Sequence, residues 1–222
     1  MECRPRTVVI ADDQRLVRLG LRALLDREPD LVVVGESADG SAALRMAREL
    51  RPDVIVMDVR MPGLDGISAT REILRGDPER LVVVLTTFDD AEYVDNAIIA
   101  GARGFLAKDE DPQQIIDMVR GVLAGHIFIP DAHVKRLVAA ASRERLTATP
   151  IALGAREAEV AGAVVRGLSN QEIATLTHTS VSTVKATLAG LMDRTGKNNR
   201  VQLALALYPL VGPQPGAWDS VV

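Results

Sequence analysis

The sequence predicts an α/β domain with a five-stranded, doubly wound parallel sheet, followed by a second, all-α domain of four helices that contains a helix-turn-helix. In the first half, short runs of Val, Ile and Leu alternate five times with helical spacing, the pattern of βα units. From residue 154 onward only helical patterns occur. The net charge changes from −7 over residues 1–125 (16 basic, 23 acidic) to +3 over residues 126–222 (10 basic, 7 acidic), which indicates domains with different partners.

The five βα units follow one another without a break. Continuous apolar runs such as Val54–Met57 predict strands buried on both faces. Pro112 stands in the first turn of the fifth helix, where its missing N–H costs no hydrogen bond. The predicted strands are residues 7–11, 31–35, 54–57, 81–86 and 104–107, and the predicted helices are residues 16–27, 41–51, 66–75, 91–100 and 112–124.

The second half contains four predicted helices. A capping box, Ser169-Asn170-Gln171-Glu172, opens a short helix over residues 171–176. A polar turn separates it from a helix over residues 181–194, the spacing of a helix-turn-helix. Helices over residues 156–166 and 200–207 complete the set. Spacing alone also fits a generic small helical bundle.

Turn signals set the domain boundaries. We assign residues 1–125 to the first domain, 126–152 to a linker, 153–208 to the helical domain and 209–222 to a loose tail. Within the linker, residues 131–146 have helical spacing, and residues 147–150 form a connection. The tail is rich in Pro and Gly.

Composition excludes several classes of protein. With 47% hydrophobic and 25% charged residues, the chain has the profile of a soluble globular protein. The single cysteine, Cys3, excludes an internal disulfide framework and a cysteine-based zinc cluster. Apolar runs of about five residues are too short to span a bilayer, and residues 1–6 lead into a strand-like stretch without the apolar h-region of a signal peptide, so we expect none. We therefore expect a cytoplasmic protein without a membrane partner.

Polar side chains follow four of the five predicted strands. Asp12 and Asp13 follow the first strand, Asp58 the third and Lys108 the fifth, while Thr86 closes the fourth. In a doubly wound sheet these strand ends meet at the ligand-binding edge. Three carboxylates there suit Mg²⁺, and an Asp can accept a phosphoryl group whose charge Mg²⁺ and a lysine neutralise.

Each of these residues also has an ordinary structural interpretation. An Asp after a strand is often a helix N-cap, and a lone Thr or Lys is often a strand former or a solvated surface group. The joint placement of all five at one edge favours the functional interpretation.

Residues 7–125 resemble the receiver domain of two-component response regulators, a flavodoxin-like fold. The resemblance lies in Ala11-Asp12-Asp13, in Met57-Asp58-Val59-Arg60-Met61-Pro62-Gly63-Leu64-Asp65-Gly66, in Leu85-Thr86-Thr87 and in Gly104-Phe105-Leu106-Ala107-Lys108. It implies that a sensor histidine kinase phosphorylates Asp58. It implies that Asp13, Asp58 and the backbone carbonyl of Arg60 hold Mg²⁺, with Asp12 acting mainly through water, and that Thr86 and Phe105 form a switch pair.

Residues 153–207 resemble the LuxR-type helix-turn-helix of the NarL/LuxR regulators. The match includes Gly167-Leu168-Ser169-Asn170-Gln171-Glu172-Ile173-Ala174 and Thr183-Val184-Lys185. It implies that the second helix of the motif enters the major groove of double-stranded DNA. The candidate DNA contacts are Ser180, Ser182, Thr183, Lys185, Ala186, Ala189 and Arg200. Arg194 and Lys197 are further candidates for phosphate contacts.

The helical half departs from the family pattern at several positions. Gly154-Ala155 replaces the usual Thr-Pro at the first helix. Threonines replace apolar residues at 177, 179 and 195, and Thr187 stands where His is usual. Ala189 and Gly190 replace polar or basic residues, which predicts fewer phosphate contacts and a shallower salt dependence.

The sequence thus predicts a transcription factor that is not an enzyme. Phosphorylation controls formation of a homodimer whose two helix-turn-helix units read two half-sites. One alternative is an atypical response regulator whose helical domain binds DNA weakly or is controlled by a protein or small ligand. The other is an aspartyl-phosphate phosphatase, although the chain lacks the Asp-x-Asp arrangement around the nucleophile.

Overall fold

The chain folds into two units, residues 1–124 and residues 125–222. A computed structural model describes residues 4–86, 91–129, 133–134, 136–137 and 152–211. The predicted linker helix and connection lie, apart from residues 133–134 and 136–137, outside these residues, as does the predicted tail from residue 212 onward. Within the described residues, no helix is long and apolar enough to cross a membrane.

The first unit is built on one parallel sheet. Its strands are β1 (Arg6–Ala11), β2 (Leu31–Ser37), β3 (Val54–Asp58), β4 (Leu81–Thr86) and β5 (Gly104–Ala107). Their order across the sheet is β2-β1-β3-β4-β5, and each neighbouring pair is parallel. The strand order reverses between β1 and β3, which is where the fold places a ligand site. This confirms the predicted five-stranded doubly wound sheet.

Five helices connect the strands and form two layers. They are α1 (Arg15–Leu25), α2 (Gly40–Glu49), α3 (Gly66–Gly76), α4 (Ala91–Ala100) and α5 (Pro112–Ala124). Helix α1 contacts α5, whereas α3 contacts both α2 and α4. Because helices cover both faces of the sheet, every residue of β3 is buried. Asp39 and Asp65 cap α2 and α3 by accepting the backbone N–H groups of Ala42 and Ser68.

The second unit contains the helices α6 (Ala155–Val165), α7 (Asn170–Leu176), α8 (Val181–Thr195) and α9 (Arg200–Val211). Ser169 caps α7 and Ser180 caps α8, each by accepting the backbone N–H group three residues later. Gly196, with a φ of 63°, ends α8 in the left-handed conformation that glycine adopts at low cost. Val164, Ile173, Leu191, Leu203 and Leu207 lie in the common core.

Helix α9 is longer than its sequence predicts. The predicted helix ends at residue 207, but the structure continues it to Val211, so residues 209–211 belong to the helix and not to the tail. Pro209 lies in the last turn, where its missing N–H removes a single backbone hydrogen bond. Leu207 packs in the core, which anchors the end of the helix.

Candidate functional site

Three carboxylates meet at the carboxyl ends of β1 and β3. One oxygen from each of Asp12, Asp13 and Asp58 lies within 4.8 Å of the others. Asp12 and Asp58 are buried, whereas Asp13 is exposed. The cluster therefore has an inner pair of carboxylates and an outer carboxylate that faces solvent. Carboxylate oxygens so close together match the ligands that Mg²⁺ prefers in proteins.

Lys108 contacts both carboxylates of the inner pair. Its Nζ lies 2.6 Å from Oδ2 of Asp12 and 2.8 Å from Oδ2 of Asp58, and only 7% of its side chain is exposed. The backbone N–H of Lys108 donates to the carbonyl oxygen of Thr86 at 2.8 Å, which holds the residue just beyond β5. A buried cation in contact with two carboxylates stabilises negative charge at this point.

Burial raises the pKa of Asp58 above its ordinary value, and the nearby carboxylate of Asp12 adds to the effect. The Lys108 ammonium and a backbone N–H of Arg60 oppose the rise without cancelling it. Asp58 is thus a poorly solvated carboxylate whose charge depends on its neighbours, as expected for a group that takes part in chemistry.

The backbone around the inner pair fits tightly. A Cβ on Gly66 would lie 1.8 Å from the carbonyl oxygen of Asp58, so glycine is required where α3 begins. The N–H of Gly66 donates to the carbonyl oxygen of Val59 at 3.0 Å, which closes the loop after β3. Asp12 Oδ1 accepts the N–H of Gln14 at 2.8 Å, which orients its carboxylate.

The predicted switch residues lie on neighbouring strands. Thr86 ends β4 and pairs in register with Ala107, and Phe105 pairs with Val84. Thr86 and Phe105 are both buried. The sheet therefore places Thr86 at the same edge as Lys108. Phe105 lies in β5 two residues before Ala107, and so further from that edge.

A surface contact beside the carboxylates was not foreseen from the sequence. The guanidinium carbon of Arg60 lies 4.9 Å from the centre of the Tyr93 ring, a cation–π contact. Both residues line a surface cleft together with Asp13 and Met61. Tyr93 is the one aromatic residue of α4, and no motif around it predicts a contact with Arg60.

The predicted DNA-contacting residues of α8 share an exposed face. Ser182, Lys185, Ala186 and Ala189 recur at helical spacing and are exposed, as are Ser180 and Thr183 at the start of the helix. The Ser180 hydroxyl lies 2.7 Å from Oγ of Ser182 and 2.8 Å from Oγ1 of Thr183. This face presents hydroxyl and methyl groups and one cation.

The structure corrects the expectation that Arg200 contacts DNA. Arg200 is buried, and its guanidinium donates to Oδ1 of Asn170 at 2.6 Å and to the carbonyl oxygen of Leu168. It joins the start of α9 to the turn before α7, so it is not presented to a nucleic acid. Arg194 is exposed and forms a surface ion pair in which its Nη2 lies 2.9 Å from Oε2 of Glu157 on α6, so its phosphate contact stays a prediction. Lys197 is exposed.

The unusual threonines make hydrogen bonds within the second unit. Thr177 Oγ1 donates to the carbonyl oxygen of Ile173 at 2.8 Å and lies 3.1 Å from Oγ1 of Thr179. Thr195 Oγ1 donates to the carbonyl oxygen of Leu191 at 2.7 Å. All three threonines are half-buried, so they replace apolar contacts with satisfied polar ones.

Glu157 stabilises the N-terminus of α6, where the N-cap residue Gly154 has no side chain to accept a hydrogen bond. Its Oε2 accepts the backbone N–H of Gly154 at 3.0 Å, and this bond together with Arg194 lowers the pKa of Glu157. An acidic side chain in the first turn thus provides part of the capping that Gly154 lacks.

Sequence profiles of two known families match the chain. The family described as response regulator receiver domain matches residues 8–120, and that described as bacterial regulatory proteins, luxR family, matches residues 152–207. The two matched segments correspond to the two structural units.

Individual proteins match over nearly the whole length. The uncharacterized transcriptional regulatory protein YxjL of Bacillus subtilis is 36% identical over 199 residues, which cover 88% of this chain and 91% of that protein. The transcriptional regulatory protein LiaR of the same organism is 34% identical over 199 residues, which cover 89% of this chain and 94% of LiaR. The crystal structure of the response regulator ChrA of a heme-sensing two-component system matches with a TM-score of 0.51 and 33% sequence identity. The match covers 93% of this chain and 98% of the ChrA chain.

Proposed function

We propose that this chain, which belongs to the response regulators that join a receiver domain to a LuxR-type DNA-binding domain, accepts a phosphoryl group on Asp58 and thereby changes its binding to DNA. The observation that carries the proposal is the contact of the buried Asp58 with Lys108, beside two further carboxylates at the point where the strand order reverses. We assign the receiver to the first unit, residues 1–124, and the DNA-binding domain to residues 153–211, through the end of α9.

In the proposed reaction, a carboxylate oxygen of Asp58 attacks the phosphorus of a phosphodonor. The new O–P bond forms as the bond to the leaving group breaks, and the leaving group departs with its electron pair. Lys108 is already within 2.8 Å of Asp58 and neutralises charge on the phosphoryl oxygens. The backbone N–H of Arg60 is a further donor toward the same carboxylate.

The carboxylate cluster fits a bound Mg²⁺. Asp13 and Asp58, with the backbone carbonyl of Arg60, would hold the ion, and Asp12 would act mainly through water. When bound, Mg²⁺ supplies positive charge that stabilises the phosphoryl oxygens in the transition state. Asp13 is the exposed member of the cluster, which suits a ligand to an ion that retains several waters.

Thr86 and Phe105 are the proposed switch pair. A phosphoryl group adds close to two negative charges and new acceptor oxygens beside the end of β4. The hydroxyl of Thr86 would donate to it, and the space that Thr86 leaves would admit the Phe105 ring.

The proposed donor of the phosphoryl group is a sensor histidine kinase, which implies a cytoplasmic location for this chain.

Phosphorylation of Asp58 is tested by intact mass. The full chain is incubated with Mg²⁺ and acetyl phosphate, and we expect wild type to gain one phosphoryl group and Asp58→Ala to gain none. Asp117→Ala removes an exposed carboxylate of α5 and is the matched control. An equal gain in wild type and Asp58→Ala would show that another residue accepts the phosphoryl group.

Self-association completes the proposed mechanism. Two DNA-binding domains read two half-sites about one helical turn apart, so a phosphorylated homodimer gains the binding energy of both. We expect beryllofluoride with Mg²⁺, a mimic of the phosphoryl group, to raise the mass measured by light scattering from one chain toward two. A monomer mass with and without beryllofluoride, across micromolar concentrations, would contradict this expectation.

A further inference from the structure

Residues 125–129, which the sequence assigns to the last receiver residue and the start of a linker, belong to the second unit and pack against its helices. The N–H of Ile127 donates to the carbonyl oxygen of Gly167, in the turn before α7, at 3.3 Å. Nε2 of His126 lies 2.9 Å from Oε2 of Glu172, in the first turn of α7. We call residues 125–129 the docked segment.

Close packing and apolar contacts reinforce these polar ones. Gly125 has a φ of 101°, and a Cβ there would lie 2.9 Å from Cβ of Ser169, the cap of α7. The His126 ring stands edge-on to Phe128, with their centres 6.0 Å apart. Ile127 and Ile129 of the docked segment line a small apolar space together with Val164 and Val165 of α6 and Leu205 and Tyr208 of α9.

The polar contacts converge on the start of α7. Oε2 of Glu172 accepts the backbone N–H of Ser169 at 2.7 Å, so the oxygen that contacts His126 also completes the capping box. The next residue, Asn170, accepts from Arg200 of α9. The docked segment is therefore attached where the turn before α7, α7 itself and α9 are joined.

The docked segment begins directly after the first unit. Ala124 is both the last residue of α5 and the last residue of the first unit, and Gly125 follows directly. A flexible linker at this point would absorb a movement of α5, because its ends move independently. A segment held by two polar contacts and an apolar face has less freedom to absorb it.

We infer that the docked segment is a coupling element, which transmits the phosphorylation state of the first unit to the helix-turn-helix through the His126–Glu172 contact. His126 acts as a positioning residue, because it contacts the capping residue of α7 and not the nucleic acid. The inference rests on the proposed function for its input, the phosphorylation of Asp58. What it adds is the route by which phosphorylation of Asp58 reaches α7.

Hydrogen–deuterium exchange of the full-length chain tests the route, with and without beryllofluoride and Mg²⁺. In wild type we expect beryllofluoride to change exchange in the loop after β3 and at the end of β4, and also in the docked segment and the first turn of α7. In His126→Ala the response of the first unit should remain, whereas the response in α7 should be lost. The basal exchange of the first turn of α7 should also rise, by roughly two- to fivefold for loss of a partly exposed polar contact.

Two further variants separate coupling from packing. His126→Gln keeps an N–H donor within reach of Glu172, and it should restore the response in α7. His133→Ala removes another histidine of the second unit, whose Nδ1 lies 3.0 Å from Arg136, and it should leave the response intact. A purely structural role for His126 would raise the basal exchange of α7 without removing the response to beryllofluoride, which would overturn the inference.

The outcomes also distinguish this inference from the proposed function. If beryllofluoride changes nothing in the first unit of wild type, the proposed function is wrong, and the inference falls with it. If the first unit responds but the docked segment and α7 do not, the inference alone is overturned. A response in α7 that persists unchanged in His126→Ala would likewise overturn the inference and leave the proposed function standing.

Discussion

The two units use their charged side chains in different ways. In the first unit, Asp12, Asp58 and Lys108 are buried together, and their mutual contacts form the proposed chemical site. In the second unit, Arg200 is buried with its partners inside the fold, whereas Arg194 forms an exposed ion pair, and the exposed face of α8 carries hydroxyl groups, methyl groups and Lys185. The first unit thus gathers its charges in a buried cluster, whereas in the second unit a charge is available to a ligand only where it is exposed.

This difference follows from the architecture. The carboxyl ends of parallel strands meet at one edge, so residues far apart in sequence converge whatever surrounds them. A helix surface has no such convergence, because each side chain points outward at its own angle. Whether an arginine on a helix meets DNA or a neighbouring helix depends on packing that the sequence does not state directly.

Arg200→Ala has the largest expected effect in this comparison. The variant removes a buried guanidinium and leaves the carbonyl oxygen of Leu168 and Oδ1 of Asn170 without that donor. We expect the free energy of unfolding of the second unit to fall by about 3 kcal/mol, measured by urea denaturation of the full chain. Arg166→Ala, at an exposed arginine, should change it by less than about 0.5 kcal/mol. Equal stability in the two variants would mean that Arg200 is not a structural residue.

Lys185→Ala is expected to act on DNA binding and not on folding. Lys185 is an exposed cation on the α8 face that carries Ser182 and Ala189. If it contacts a base, binding should weaken by about 1–3 kcal/mol and the preference at one position in each half-site should relax. The measurement is affinity across salt concentrations, on duplexes that wild type selects from a random-sequence library.

Two outcomes of the Lys185 experiment carry different meanings. A uniform loss on all sequences, with a shallower salt dependence, indicates a phosphate contact. Binding equal to wild type at every salt concentration would mean that α8 does not read DNA, and would favour control of the helical domain by a protein or small ligand.

Much of the first site follows from the sequence because strand ends can be located. The apolar runs predict where β1, β3 and β5 stop, and Asp12, Asp58 and Lys108 are the residues that come next. The contact of Lys108 with both carboxylates at once needs the structure, because it depends on how far neighbouring strands are offset.

The second unit is predicted less completely. Its helices are found within a few residues, because capping signals such as Ser169 and Ser180 mark their starts. The partner of Arg200 is not predicted, because Asn170 lies 30 residues away and belongs to a different helix. Residues 126–129 read as linker because they are short and irregular, and only the fold shows that they pack against α6 and α9.

Gly190→Ala has the smallest expected effect and tests the shape of the α8 face. Gly190 lies inside α8, is exposed, and a Cβ there would meet no atom within 4 Å. Alanine costs less backbone entropy than glycine in a helix, so the free energy of unfolding should rise by roughly 1 kcal/mol. We expect DNA affinity to stay within about 0.5 kcal/mol of wild type, the usual range for a surface change.

Gly20 provides a matched control from the other unit. It lies inside α1, is exposed, and a Cβ there would also meet nothing within 4 Å. Gly20→Ala should therefore give a similar gain in stability, measured by urea denaturation, without any change in DNA affinity. If Gly190→Ala alone weakens DNA binding while it stabilises the fold, the backbone at residue 190 approaches the nucleic acid closely. The reading face of α8 would then extend beyond Ser182, Lys185, Ala186 and Ala189, and the departure at residue 190 would be a feature of recognition and not a weakness in the helix.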